Sequence, residues 1–172
     1  MATKKLNRQQ IIEITKDISI HKTNSLASMR EIASKLNVSV GTLYNYYDNQ
    51  ESLWCDVFNK MWESTEKSIK NILNQEIPNA DKMEKMIKLI SSDIKKRNGY
   101  GYKLFNKIGN NLAYKQIKLF DVRKFLKESF LEVISGTDNQ KQVKINIITT
   151  LLLNGSIDQD SKLLNEYINL LK

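Results

Sequence analysis

From Ser39 to Tyr47 the chain reads SVGTLYNYY, a stretch crowded with hydroxyls. Three tyrosines, Tyr44, Tyr46 and Tyr47, fall within four positions. A core has little use for that many hydroxyls side by side, whereas phosphate oxygens accept from such donors. No nucleophile–base set and no cluster of metal ligands accompanies them, so no catalytic residue, metal or cofactor is expected. The chemistry on offer is hydrogen bonding to an acceptor-rich surface.

Those side chains need a rigid support, and the pattern around them supplies short helices. Asn7 is a plausible cap for a helix over Arg8–His21, with Ile11, Ile12, Ile14 and Ile18 on one face and Ile20 off it. Ser28 is followed three residues on by Glu31, the reciprocal capping pattern. Met29, Ile32, Ala33 and Leu36 then line one side of a second helix. Asn37 interrupts, and Asn is among the few residues that tolerate positive φ. Val38 packs inward, and Ser39 caps a third helix from Val40 to about Tyr46. Asp48 or Asn49 caps a long fourth helix from Gln50 to about Asn74.

Ala33, Asn37 and Leu43 stand at relative positions 0, +4 and +10. That spacing meets the needs of a helix-turn-helix: a small residue where the helices touch, a left-handed residue at the turn, and an apolar anchor on the second helix. The second helix then offers Ser39, Val40, Gly41, Thr42 and Asn45 to a major groove. Gly41 permits close backbone approach. Thr42 can touch a thymine methyl or donate a hydrogen bond, and Asn45 can read an adenine edge. Tyr44 and Tyr46 would flank the groove and donate to phosphates, with Tyr47 buried on the Leu43 side. The N-terminus of the fourth helix, near Asn49–Glu51, offers free N–H groups to another phosphate.

Residues 7–57 resemble the DNA-binding domain of the tetracycline-repressor (TetR) family of bacterial regulators. The resemblance rests on IASKLNVSVGTLYNYYDNQESLW, above all on GTLY at Gly41–Tyr44 followed by NYY. Beyond that stretch the chain matches only in being helical and of suitable length. Two positions depart from the family pattern. Asn24 stands where glycine is usual between the first two helices. Gln50 stands where a lysine usually reaches a phosphate, a change that lowers nonspecific affinity and the salt slope. Lys4, Lys5, Arg8 and Arg30 are available to compensate. The resemblance implies a homodimer presenting one recognition helix to each half of a near-palindromic duplex operator. It also implies C-terminal helices that form the dimer face and enclose a small-molecule pocket, and a ligand that moves the fourth helix and releases DNA.

Composition agrees with an all-α chain. Of 172 residues, six are Gly and one is Pro, too few to punctuate many strands. Formal charge is +8, and residues 1–47 carry half of it. One cysteine, Cys55, excludes an internal disulfide and a cysteine zinc site. No apolar h-region follows Met1–Leu6, and Ile145–Leu153 is too short to span a bilayer. A cytoplasmic protein, with no membrane partner, is therefore expected.

After Pro78, helices are expected at about 80–97, 102–113, 117–135, 139–154 and 160–171, with NGYG at Asn98–Gly101 read as a helix-breaking loop. The last of these helices carries Leu163, Leu164, Tyr167, Ile168, Leu170 and Leu171, an apolar face needing a cover. Trp54, Phe58, Met61, Trp62, Met83, Met86, Phe105 and Ile108 are pocket candidates, against the plainer reading as core. Leu104 and Leu112 follow the same logic. His21 and Cys55 are read as structural. The expected organisation is a helix-turn-helix DNA-binding domain over 1–47 and a helical effector and dimerisation domain over 48–172. The expected function is ligand-relieved repression. The alternative is an adaptor or co-activator whose C-terminal domain binds another protein.

Overall fold

The structure is a computed structural model that describes residues 6–108 and 119–153, without the side chains of 119–120 and 150–153. The expected helix over 160–171, Leu112, and the basic Lys4 and Lys5 lie outside the described residues. All regular structure among the described residues is helical: α1 (Arg8–Ile20), α2 (Met29–Leu36), α3 (Val40–Tyr44), α4 (Gln50–Leu73), α5 (Asn79–Lys96), α6 (Tyr100–Ile108), α7 (Leu119–Leu131) and α8 (Asp138–Leu153).

Local chemistry sets most of these boundaries. Asn7 accepts from the Gln10 N–H, and the Gln10 side chain accepts in return from the Asn7 N–H, so α1 opens with a capping box. Ser28 and Glu31 make the same reciprocal pair at α2. Asn37 ends α2 at φ 53°, and the Val38 N–H donates back to the Ala33 carbonyl at 3.0 Å. Asn49 Oδ1 accepts from the Ser52 N–H at 2.8 Å and starts α4.

Two corrections follow. The third helix stops at Tyr44, and Asn45 is its C-cap, so it is shorter than expected. The NGYG break is also shorter. Asn98 and Gly99 take positive φ (48° and 62°), but Tyr100 and Gly101 already belong to α6.

The buried apolar residues form two clusters. The first joins α1–α3 to the front of α4 and to α6 through Ile11, Ile32, Leu43, Leu53, Val57, Tyr100 and Leu104. The second joins the back of α4 to α5, α7 and α8 through Ile69, Met86, Ile90, Leu126, Phe130 and Ile145. Phe58 packs against both. The first core thus crosses the 47/48 boundary expected from sequence. Among the described residues, the long helix α4, about 36 Å at 1.5 Å per residue, is the one element that contributes buried side chains to both clusters.

Candidate nucleic-acid interface

The α2–turn–α3 unit is built from beneath. Leu43 is fully buried and Ala33 nearly so, which seats α3 across α2. Tyr47 is buried beside Leu43 as expected, and its hydroxyl donates to Asp56 Oδ2 at 2.9 Å. Burial and that carboxylate push the Tyr47 pKa upward, so the proton stays on the phenol. Arg8 reaches over from α1: its guanidinium lies 4.8 Å from the Tyr47 ring centroid and donates to the Tyr46 carbonyl at 2.7 Å. The residues just past α3 are therefore held by α1 as well as by α4.

With that face anchored, the opposite face of α3 is open. Ser39, Gly41, Tyr44 and Asn45 are exposed and Thr42 is half-buried; Tyr44 presents 50% of its surface. Arg30 is exposed on α2. Ser39 Oγ accepts from the Thr42 N–H at 3.1 Å, and the two hydroxyls are 2.9 Å apart, which fixes the rotamer Thr42 presents. At Gly41 an added Cβ would meet only Ser39 Oγ, at 3.7 Å, an ordinary contact. The protein itself therefore does not require glycine there.

Other expected contacts are placed differently. The Tyr46 hydroxyl donates to the Leu6 carbonyl at 2.7 Å, across 40 positions of sequence. A phenol has one proton, so that donor is committed internally and is not directed at a phosphate. Val40 is half-buried against the head core rather than free in a groove. Gln50 Oε1 accepts from the Met29 N–H at 3.3 Å and ties the start of α4 to the start of α2. At the α4 N-terminus, Asn49 already occupies the Ser52 N–H and Glu51 adds negative charge, which weakens it as an anion site.

The pocket candidates divide between the two cores. Trp54 and Ile108 are buried in the first; Met83 and Met86 are buried in the second. Phe105 is 46% exposed, and Phe58 bridges the cores. Met61 lines a cleft of about 260 Å³ between α1, α4 and α5. Trp62 lines one of about 230 Å³ with Phe125, whose ring meets it edge-on at 6.3 Å. The remaining candidates line neither.

A buried polar junction behind the head was not foreseen. Lys103 lies on the apolar stripe of α6, and its ammonium donates to the Ser19 carbonyl at 3.3 Å and to the Lys22 carbonyl. Burial lowers its pKa. Asn98 donates to the carbonyls of Ile20 and Lys22 at 2.9 and 3.0 Å. Both side chains thus close the C-terminal end of α1, where carbonyls lack helical partners. The Trp54 indole N–H donates to the Ala27 carbonyl at 2.8 Å, and the Tyr100 hydroxyl donates to the Trp54 carbonyl at 3.2 Å. The available signal was the spacing of Tyr100, Lys103, Leu104 and Ile108, which puts a lysine on a buried stripe. Cys55 is half-buried, and burial pushes its thiol up to about 11, so little thiolate exists near neutral pH.

No family model and no curated protein matches the sequence. Solved structures do match. A bacterial regulatory protein of the TetR family from Rhodococcus RHA1 superposes with TM-score 0.71 at 16% identity, over 95% of this chain and 94% of that one. The chain has the TetR-family fold. A TetR/AcrR-family transcriptional regulator from Thermobifida fusca gives 0.67 at 12% identity, over 95% of both chains. FadR of Bacillus subtilis in complex with stearoyl-CoA gives 0.66 at 20%, over 96% and 97%. These matches cover 95–96% of this chain, well past the fifty residues that resemble the family in sequence.

Proposed function

We propose that this protein is a sequence-specific DNA-binding transcription regulator that reads a major groove with α3. The observation that carries the reading is the two-sidedness of α3: Leu43 sealed into the core, and Gly41, Tyr44 and Asn45 exposed on the side away from it. Tyr44 and Arg30 would grip phosphates, while Thr42 and Asn45 would meet base edges. Ser39 would act mainly by holding Thr42.

The reading extends to a homodimer on a near-palindromic site. It is supported by exposed apolar side chains on α8, Val143 and Ile147 at 58% and 46%, one helical turn apart. It extends also to release by a small effector in the cytoplasm, in keeping with a fold-mate that carries stearoyl-CoA. The junction of Asn98, Tyr100 and Lys103 supplies a route, since any shift of α6 pulls on the end of α1 and on Trp54. The same exposed α8 face also suits the adaptor reading, and a monomer that captures another protein there would favour it.

Selection from random duplex DNA tests the proposal. A palindromic consensus is expected, and Thr42→Ala with Tyr44→Ala should abolish binding to it while leaving the helical circular-dichroism signal unchanged. Undiminished binding by that variant refutes the placement of α3 in the groove.

A further inference from the structure

The cleft of about 260 Å³ opens where α1 faces α4 and the end of α5. Its size is just under the ~300 Å³ at which pockets for drug-sized ligands begin, which suits a smaller molecule. Ile12 and Ile20 from α1, and Val57 and Met61 from α4, give it apolar walls. Around them stand Lys16, Lys60, Lys96 and Arg97, against one lining carboxylate, Glu13.

The cations are not equally free. Lys16 pairs with Glu13, and Lys60 pairs with Glu63 at 2.9 Å. Lys96 is exposed and makes no ion pair among the described residues. Arg97 is held in place: Nη2 donates to Thr65 Oγ1 at 2.6 Å, to Asp93 Oδ2 at 3.0 Å and, at 3.4 Å, to Ser64 Oγ in the cleft wall, and Thr65 itself donates to Asp93 at 2.6 Å. That grip sets the plane of the guanidinium and leaves its Nε and Nη1 donors without a partner among the described residues. Both parallel N–H edges of a guanidinium include Nη2, so a carboxylate takes a single N–H bond from this group, whose orientation is already fixed, with the Lys96 ammonium as the second cation.

We propose that this cleft binds a small amphipathic carboxylate, its short apolar tail against Ile12, Val57 and Met61 and its head on Arg97 and Lys96. Because α1 supplies one wall and α4 and α5 the other, the occupant touches the DNA-reading head and the body together. It would then favour one packing of α1 on α4 over another, and bias DNA binding by its differential affinity for the two. This last step rests on the regulator reading above; the binding step does not.

Octanoate is the probe, titrated into the full chain carrying ¹³C-methyl methionine, with 1-octanol as the neutral molecule of equal tail length. Saturable binding of octanoate is expected to move the Met61 methyl resonance and leave Met83 and Met86, buried in the second core, in place. Octanol should bind about tenfold more weakly, having no charge for Arg97 and Lys96. Lys60→Gln with Lys96→Gln should weaken octanoate about fivefold, and Lys107→Gln with Lys124→Gln, on other surfaces, should not.

Absence of saturable binding, movement of Met83 or Met86 in place of Met61, or equal affinity for octanol overturns the site. So does unchanged affinity in the Lys60/Lys96 variant. Octanoate should also change the affinity for the selected duplex; binding at Met61 with no such change overturns the coupling. A chain that moves Met61 yet binds no DNA removes the regulator reading and keeps the site, whereas DNA binding without movement of Met61 does the reverse.

Discussion

Gly41→Ala separates what the fold needs from what a bound duplex needs. Gly41 is the second residue of α3, its φ is not positive, and a Cβ would meet nothing closer than Ser39 Oγ at 3.7 Å. Glycine costs a helix about 0.5–1 kcal/mol relative to alanine, because the unfolded chain has more freedom to lose. The substitution should therefore stabilise the free protein by up to that amount. For a chain of this length it appears as a melting midpoint raised by roughly 1–4 °C. If the exposed backbone at Gly41 lies against DNA, the same methyl group stands in the way. Affinity for the selected duplex should then fall at least about tenfold, ~1.4 kcal/mol. Thermal unfolding followed by circular dichroism and fluorescence anisotropy with labelled duplex read the two effects separately. A variant that is more stable and binds DNA as well as the parent refutes the close approach. A variant that melts lower refutes the claim that the fold leaves room for the methyl group.

The tyrosines should divide in the same way. Tyr46→Phe removes the donor to the Leu6 carbonyl and should cost about 1 kcal/mol of stability with duplex affinity nearly kept. Tyr44→Phe should leave the melting curve within about 0.5 kcal/mol and weaken DNA binding; the salt slope should not change, because no cation is lost. A third prediction concerns acid. The Lys22 ammonium, with the Ser28 N–H and hydroxyl, holds the Glu31 carboxyl down at about 2 from 4.5. A depressed carboxyl stabilises the fold above its unfolded pKa, and that contribution fades as pH falls from about 4.5 towards 2. Glu31→Gln should melt below the parent at neutral pH and match it near pH 2, by a small margin because Glu31 is solvent-exposed. Parallel curves across that range contradict the assignment.

What was legible in the sequence was local. Ser28 with Glu31, Asn37 at the turn, Ser39 before Val40 and Asn49 before Gln50 each act within three or four residues, so their types and spacing sufficed. Leu43 and Tyr47 could be placed underneath because one helical period joins them. The bond of the Tyr46 hydroxyl was not readable because its partner, the Leu6 carbonyl, is 40 residues away. The same applies to Lys103, which reaches back 84 positions to Ser19 in the last turn of α1 and 81 to Lys22 just past it. The start of α6 was placed two residues late because glycine at 101 reads as a breaker; the packing that tolerates it, against the Phe58 ring, is tertiary. Pocket residues were the least readable, since methionine and aromatics at helical spacing look alike whether they fill a core or line a cleft.

The first core takes Leu53, Trp54 and Val57 from α4 and Tyr100 and Leu104 from α6. A chimera spliced at residue 47 would expose their hydrophobic imprint on α1 and α2, and the grafted N-terminal helices would have to find a substitute lining in their new host. On the reading proposed above for α3, operator specificity is most easily exchanged by repainting its outer surface. Modular recombination at that seam would succeed only where the recipient's own α4 and α6 reproduce the same relief.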